Sequence, residues 1–308
     1  MDASRPAIAV ICGPTASGKT GIAVDLSKNF PIEIVSADSR QVIRHLDIGT
    51  AKPTAQELRQ VPFHLVDIVD PGRRYSAFQF MDDANEAIRG ILQRKHIPVV
   101  VGGTGLYLRA LSEGVVEIES SDMAIREKLE GEMAELGPQA MFERLEKIDP
   151  LEAASLHPHH KRRVIRALEI HALTGKCKSE LVATGAYRRA EFPFEFFRLM
   201  PERAQLYQRI NQRVDQMLAA GWLDEIRGLV ERGMGDDIRR SQVMGYDELL
   251  DYLEGHLPWE EAVSQIKQNT RRYAKRQYTW FRHQAAGEFF DDVNTAGQAL
   301  RRNLSQWV

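Results

Sequence analysis

Residues 7–20 read AIAVICGPTASGKT, and they indicate the architecture of the N-terminal part of the chain. The first six are apolar without interruption, which predicts a strand buried on both faces. The next eight match the pattern G-x-x-x-x-G-K-[ST] in full, and helical spacing of apolar residues follows up to Asn29. Such a turn surrounds a phosphate with backbone amides, and the following helix adds its positive end. We therefore expect this segment to bind a phosphorylated small molecule.

The candidate phosphate-binding residues have separate roles within the turn. Lys19 is expected to neutralise the outer phosphate, and the Thr20 hydroxyl to help hold Mg²⁺. The full set is Gly13, Pro14, Thr15, Ala16, Ser17, Gly18, Lys19 and Thr20. An ATPase or kinase would add a strand-end aspartate, for which Asp67 and Asp70 are candidates, although both also suit a turn before Pro71. The chain has no Asn-Lys-x-Asp element, which argues against a GTPase.

Predicted strands and helices alternate through the first third of the chain. Apolar runs at 32–37, 64–69 and 97–101 predict strands, and an apolar stripe at 78–94 predicts a helix before the last of them. This alternation is typical of an α/β fold with a parallel sheet. The last strand runs into GGTG (102–105), a second glycine-rich turn at the edge where such sheets bind ligands. Two such turns favour a transferase with two substrates over a simple hydrolase.

The middle of the chain is predicted to be an inserted helical domain. Apolar residues at helical spacing cover 123–146, with a break at Gly137-Pro138, and then 161–173. Residues 176–192 look irregular. We therefore place the insertion at 120–192.

The flanking segments, 1–119 and 193–308, are predicted to form one α/β core with a helical C-terminal part. FEFFRLM (194–200) predicts a strand that returns the chain to this core, and long helices follow. Residues 284–308 have no stronger interpretation than a surface tail.

The composition limits the class of protein. Of 308 residues, 43% are hydrophobic and 27% are charged, which is ordinary for a globular protein of about two domains. The formal net charge of −2 creates no global attraction to polyanions or membranes. The 2 cysteines cannot form a disulfide framework, and no apolar run approaches the ~20 residues of a membrane helix. We expect a cytoplasmic enzyme that does not contact membranes.

Local charge nevertheless suggests an RNA partner. Residues 262–287 contain no Asp or Glu, and their lysines and arginines alternate with Tyr273, Tyr278, Trp280 and Phe281. A second basic cluster surrounds the helix predicted at 161–173. Basic side chains among aromatic rings suit phosphate contacts and base stacking, although solvated helix faces would show the same pattern.

A carboxylate follows the second predicted strand, close to the phosphate turn. It belongs to Asp38, in the run Asp38-Ser39-Arg40-Gln41. There it could accept a proton or bind Mg²⁺, or it could simply cap an Asx turn.

Seven sequence motifs lie along the chain. They are GPTASGKT (13–20), DSRQ (38–41), DIGTAKP (47–53), GGTGLYLRAL (102–111), RRVIRALE (162–169), QVMGYDEL (242–249) and RRYAKRQYTWFR (271–282). Together they resemble the tRNA dimethylallyltransferases, also called tRNA isopentenyltransferases, from about residue 7 to residue 283. The resemblance implies a P-loop NTPase-like α/β core and an inserted helical domain that grips the tRNA anticodon stem-loop. It also implies transfer of a dimethylallyl group from dimethylallyl diphosphate to N6 of the adenine just 3′ of the anticodon, with Mg²⁺.

The resemblance further implies roles for individual residues. Asp38 is expected to be the general base, Thr104 to position substrate, and Arg213 to clamp the diphosphate together with Lys19 and Thr20. The residues expected to contact tRNA are Asp38, Ser39, Arg40, Gln41, Thr104, Arg126, Arg162, Arg163, Val164, Ile165 and Arg166.

Some positions depart from the family pattern, and other functions stay open. Ile43 stands where the family commonly has Tyr, His45-Leu46 replaces a pair resembling Arg-Gly, and Phe63 replaces the first His of Pro-His-His. One alternative is a free adenine-nucleotide isopentenyltransferase, which has little use for a basic inserted domain. Others are a P-loop small-molecule kinase and a nucleotide-switched RNA-binding protein without catalysis. We expect the protein to be a monomer.

Overall fold

The computed structural model describes residues 6–116, 122–184, 187–284 and 287–308. The chain divides into two compact units, the first comprising 1–112 and 191–308 and the second 113–190. Within the described residues, no helix combines the length and apolarity needed to cross a bilayer.

The elements are numbered in chain order. The strands are β1 (Ile8–Cys12), β2 (Ile32–Ala37), β3 (Phe63–His64), β4 (Ile97–Gly102), β5 (Val115–Val116), β6 (Tyr187–Arg188), β7 (Phe194–Leu199) and β8 (Glu288–Phe290). The helices are α1 (Lys19–Leu26), α2 (Ala55–Gln60), α3 (Ala77–Gln93), α4 (Gly105–Glu113), α5 (Met123–Ile148), α6 (Pro150–Ala153), α7 (Lys161–Thr174), α8 (Lys178–Ala183), α9 (Arg203–Ala219), α10 (Trp222–Glu231), α11 (Gly235–Ser241), α12 (Tyr246–Leu253), α13 (Trp259–Gln284) and α14 (Val293–Leu304).

A six-stranded parallel sheet forms the centre of the first unit. Its strand order is β3-β2-β4-β1-β7-β8, and every neighbouring pair is parallel. All five residues of β1 are buried, because a central parallel strand has both faces covered. The predicted α/β fold with a parallel sheet is confirmed.

Helices α1 and α14 pack against the sheet and against each other. The core there contains Ala23 and Leu26 of α1 together with Leu300 and Leu304 of α14. Helix α14 and strand β8 occupy the segment predicted to be a surface tail, so that prediction is wrong. Four apolar residues of α14 are at most 5% exposed: Ala296, Ala299, Leu300 and Leu304. Their apolar spacing is helical, but it lies outside the seven motifs.

The strand predicted at 64–69 is wrong beyond its first residue. Leu65 and Asp67 have φ values of 62° and 59°, in the left-handed region that a strand does not allow. After β3, only an isolated parallel bridge joins Ile43 to Val69.

The helices α9 to α13 build a second core within the first unit. It is centred on Trp222, Ile226, Tyr246 and Leu249, with residues of the loop after β2 packed against them. This core holds α9 and α13 beside the sheet, where both helices contribute to the site described below.

The second unit is helical, with one short antiparallel pair formed by β5 and β6. Helix α5 is interrupted at Gly137, whose φ of 83° breaks the helix at the predicted position. Helix α7 ends at Gly175 in the left-handed conformation typical of a helix C-terminus. The segment predicted to be irregular (176–192) contains α8 and β6 in its described part.

Candidate active site

Three strand ends bring the predicted functional turns together. In the sheet register, Gly102 of β4 lies between Cys12 of β1 and Ala37 of β2. The phosphate turn, Asp38 and the GGTG turn therefore leave the sheet side by side at the carboxyl edge of its strands. A Cβ atom on Gly102 would lie 2.2 Å from the Ala37 oxygen, so only glycine permits this approach.

A cavity of about 460 Å³ lies at this edge, entirely within the first unit. Its walls come from the three turns, from residues 49–51 and from α9 and α13. The described side chains that line it include four cations, Lys19, Arg40, Arg209 and Arg213, and a single carboxylate, Asp38. This excess of positive charge suits a ligand with several negative charges, such as a diphosphate.

The backbone of the phosphate turn adopts a conformation that requires glycine at its first position. Gly13 has a φ of 148°, and a Cβ atom there would lie 2.2 Å from the Leu199 oxygen. Lys19 folds back over the turn, and its Nζ donates to the Pro14 oxygen at 2.7 Å. Burial lowers the pKa of Lys19 to about 8, and the charge of Asp38 opposes this shift. Lys19 is thus a desolvated cation whose charge an anionic ligand would stabilise.

Asp38 forms the Asx turn that was the alternative to a functional role. Its Oδ1 accepts the backbone N–H of Arg40 at 2.8 Å and that of Gln41 at 3.4 Å. Both bonds use Oδ1, so the turn does not require Oδ2. Because Asp38 also lines the cavity, the turn holds the carboxylate in place there, and the two interpretations are compatible.

Thr104 connects Asp38's turn to the GGTG turn. Its Oγ1 accepts the backbone N–H of Ser39 at 2.9 Å, and its own N–H donates to the Ala37 oxygen at 3.2 Å. A side-chain hydrogen bond also links Thr104 to Tyr273 of α13, which lines the cavity. Burial, followed by the charge of Asp38, raises the pKa of Tyr273 to about 12. Tyr273 is therefore a neutral hydrogen-bonding group at ordinary pH.

Arg213 reaches the cavity from α9. Burial lowers its pKa, and the charge of Asp38 opposes that shift. No ion-pair partner for Arg213 occurs among the residues that the structure describes. Its position beside Lys19 and Asp38 gives the cavity a second cation that is free to meet an anion.

The donor set at the cavity fits Mg²⁺ bound with a diphosphate. Thr20 and Asp38 line the same cavity, and hydroxyl and carboxylate oxygens are ligands that Mg²⁺ accepts. The other candidates for a metal-binding aspartate lie elsewhere. Asp67 pairs with Lys52, and Asp70 pairs with Arg44 at 2.8 Å; neither contributes to the cavity wall.

Gln41 and Arg40 have protein partners that the sequence did not reveal. Gln41 donates from Nε2 to the Ala51 oxygen at 2.8 Å and accepts from the Ser36 hydroxyl at 3.0 Å. It therefore supports the loop that forms one wall of the cavity. Arg40 donates from Nη1 to the Ser241 oxygen at 3.0 Å and also lines the cavity.

The predicted tRNA-contact residues of the second unit differ in exposure. Arg162 and Arg163 are exposed on α7. Arg166 pairs at 3.0 Å with Glu169, whose side chain is fully buried, and Arg126 pairs with Glu130 at 2.9 Å. The side chains of Val164 and Ile165 lie in the core of this unit, at 0% and 6% exposure. This burial removes both side chains from the predicted contact set, because α7 turns them away from solvent.

The structure also changes the interpretation of two residues of α13. Phe281, which the sequence placed among aromatic rings available to RNA, is fully buried. Gln277, which the sequence analysis did not single out, lines the cavity and bonds to both glycine-rich turns. It lies in the RRYAKRQYTWFR motif, but only the fold reveals that its partners are about 170 and 260 residues away in sequence.

Comparison with known proteins connects this geometry to one family. The family model described as "IPP transferase" matches residues 41–284, and the one described as "Isopentenyl transferase" matches residues 6–66. The chain is 49% identical to a tRNA dimethylallyltransferase 1 of Pelobacter propionicus, covering 90% of this chain and 89% of that protein. It is 45% identical to a tRNA dimethylallyltransferase of Geobacillus kaustophilus, covering 98% and 96%.

Solved structures agree with the sequence comparison. The tRNA isopentenylpyrophosphate transferase of Bacillus halodurans superposes with a TM-score of 0.68 at 40% identity, covering 98% of each chain. A eukaryotic dimethylallyltransferase acting on tRNA gives a TM-score of 0.74 at 34% identity, covering 90% of this chain and 70% of that one. Because these matches span the phosphate turn, the cavity and nearly all of the remaining chain, the protein belongs to the IPP transferase family.

Proposed function

We propose that this protein transfers a dimethylallyl group from dimethylallyl diphosphate to N6 of the adenine 3′ of the anticodon in tRNA. The proposal rests on one observation: the phosphate turn, Arg213 and the carboxylate of Asp38 line the same cavity. A nucleotide hydrolase does not require a second glycine-rich turn at that place. Relatives that align over most of the chain are tRNA dimethylallyltransferases.

The cations of the cavity act on the leaving group. When the bond between the allylic carbon and the diphosphate oxygen breaks, negative charge grows on the diphosphate. Backbone amides of the phosphate turn, Lys19 and Arg213 stabilise that charge more strongly in the transition state than in the ground state. Thr20 would hold Mg²⁺ through its hydroxyl, and the ion would supply further neutralisation of the diphosphate.

Asp38 acts on the nucleophile. An aryl amine is a weak nucleophile, and it must lose a proton as it attacks the allylic carbon. In the proposed step the N6–carbon bond forms, the carbon–oxygen bond breaks, and one N6 proton passes to the Asp38 carboxylate. General-base assistance of this kind contributes about 10²–10⁴-fold to the rate.

The RNA substrate must present its base to the cavity. An adenine in a single-stranded anticodon loop leaves its stack at lower cost than a paired base does. The exposed Arg162 and Arg163 supply positive charge suited to the phosphates of the stem-loop. We place the reaction in the cytoplasm, with the protein as a monomer.

Mass spectrometry of an anticodon stem-loop tests the proposal. The RNA is incubated with the protein, Mg²⁺ and dimethylallyl diphosphate, and we expect it to gain one C5H8 unit on the adenine 3′ of the anticodon. A parallel reaction with free AMP tests the alternative of a free adenine-nucleotide isopentenyltransferase, which would modify AMP instead of the RNA. ATP hydrolysis without a mass increase in RNA would contradict the proposed reaction.

A further inference from the structure

The side chain of Gln277 joins the two glycine-rich turns of the cavity. Its Oε1 accepts the backbone N–H of Thr15 in the phosphate turn at 2.9 Å. Its Nε2 donates to the backbone oxygen of Gly103 in the GGTG turn, also at 2.9 Å. Gln277 is only 8% exposed. One buried amide thus bridges two loops that follow neighbouring strands of the sheet.

The bridge depends on the hydrogen-bonding groups of Gln277 and on the small size of Gly103. An amide supplies an acceptor and a donor at once, whereas a carboxylate cannot donate to the Gly103 oxygen and a hydrocarbon can do neither. A Cβ atom on Gly103 would lie 2.6 Å from the Gln277 Nε2, so the glycine makes room for the amide. Among the described residues that line the cavity, Gln277 alone forms hydrogen bonds to both turns.

The GGTG turn also connects Gln277 to the turn of Asp38. Thr104 follows Gly103 directly, and its Oγ1 accepts the N–H of Ser39, the residue after Asp38. Helix α13 contacts the same turn at two further points. Tyr273, one helical turn before Gln277, bonds to Thr104, and the Trp280 ring packs against Gly105 closely enough to exclude a Cβ atom. A continuous set of bonds therefore runs from the phosphate turn through Gln277 to the turn of Asp38.

We propose that Gln277 is a positioning residue that sets the separation between the phosphate turn and the turn of Asp38. This inference rests on the proposed function, in which the phosphate turn holds the leaving diphosphate and Asp38 takes the proton. Near-attack geometry needs both groups at a fixed separation, and small displacements there slow transfer strongly. The side-chain oxygen and nitrogen of Gln277 both bond to the turns, so its effect on transfer passes through Thr15 and Gly103.

The variant Gln277→Leu tests the bridge, with Asn269→Leu as the matched control. Asn269 lies on the same helix and donates to Glu248 at 2.7 Å, but it does not line the cavity. We expect Gln277→Leu to weaken binding of inorganic pyrophosphate with Mg²⁺ by about tenfold, from the loss of two hydrogen bonds. We expect kcat for transfer to fall by about 10²-fold because alignment is also lost, while KM for the stem-loop stays within about twofold. The control should leave all three quantities near those of the unaltered protein.

A double variant separates positioning from a general loss of structure. If Gln277 acts through the turn that carries Thr104, Gln277→Leu should slow transfer much less in a Thr104→Ala background, because the effects are coupled. Additive effects, or a pyrophosphate affinity equal to that of the control, would overturn the proposal.

Hydrogen exchange adds a measurement that needs no variant. In the unaltered protein, the Thr15 amide should be protected because Gln277 accepts its hydrogen bond, and rapid exchange at Thr15 would overturn the bridge. If the unaltered protein fails to transfer a prenyl group but Gln277→Leu still weakens pyrophosphate binding, the proposed function fails and the bridge stands.

Discussion

Replacing Asp38 with asparagine removes a charge from the cavity and keeps the local turn. The asparagine Oδ1 can accept the same two backbone N–H groups, from Arg40 and Gln41, that Asp38 accepts. The variant therefore loses the proton acceptor without losing the bonds that shape the loop. We expect transfer to slow by about 10²–10⁴-fold, which corresponds to about 3–5 kcal/mol in the activation barrier.

The same substitution has a second effect, on Lys19. The charge of Asp38 is what raises the pKa of Lys19 against the effect of burial, which leaves it at about 8. Without Asp38 that pKa falls further, and Lys19 loses its proton at a lower pH. Since the protonated amine binds the diphosphate, pyrophosphate affinity of the variant should begin to fall at a lower pH than in the unaltered protein.

Single-turnover transfer to an anticodon stem-loop measures the first effect, and pyrophosphate titrations at several pH values measure the second. Asp70→Asn is the matched control, because it removes a carboxylate paired with Arg44 outside the cavity wall. That control should transfer at a near-normal rate. Near-normal turnover of Asp38→Asn itself would refute the assignment of Asp38 as the base.

Three further predictions concern RNA binding, acid stability and the C-terminal helix. Replacing both Arg162 and Arg163 with alanine should weaken stem-loop binding and reduce its salt slope by about 1–2, since each exposed arginine contributes about one phosphate contact; an unchanged slope would show that α7 does not face RNA. The hydrogen bond from Arg94, together with that from His64, lowers the pKa of the buried Glu33 carboxyl from 4.5 to about 2. This interaction stabilises the fold by about 3 kcal/mol above pH 4.5 and is lost as the pH falls towards 2; Glu33→Gln should therefore flatten the acid side of the unfolding curve, and an unaltered curve would count against the cluster. Leu300→Ala should lower the free energy of unfolding in urea by about 2–5 kcal/mol, because the side chain is fully buried, whereas no measurable loss would return residues 284–308 to the surface tail first expected.

Local patterns predicted the parts of the fold that depend on neighbouring residues. The strands β1, β2 and β4, the break at Gly137 and the helix predicted at 161–173 all follow from short runs of sequence. The errors occurred where backbone geometry or distant packing decides. Leu65 and Asp67 belong to an apolar run, yet their left-handed conformation ends β3.

The predicted site shows the same division. The phosphate turn, Asp38, Thr104 and Arg213 could be chosen from motifs, because a motif preserves residue type and spacing. Motifs do not report direction, so Val164 and Ile165 were grouped with the exposed arginines of α7 although their side chains face the core. Arg166 likewise serves as the partner of buried Glu169.

By itself, the sequence determined the chemical groups available to this protein: a phosphate turn after a buried strand, a carboxylate after the next strand and two basic clusters. Only the tertiary structure decided which of these groups meet. Register places Gly102 between Cys12 and Ala37, which sets the turns beside one another, and α13 brings Gln277 across more than 170 residues to bond both. The physical reason is that backbone propensity and apolar spacing act over a few residues, whereas hydrogen bonds and charges in a cavity depend on distances that the folded chain alone defines.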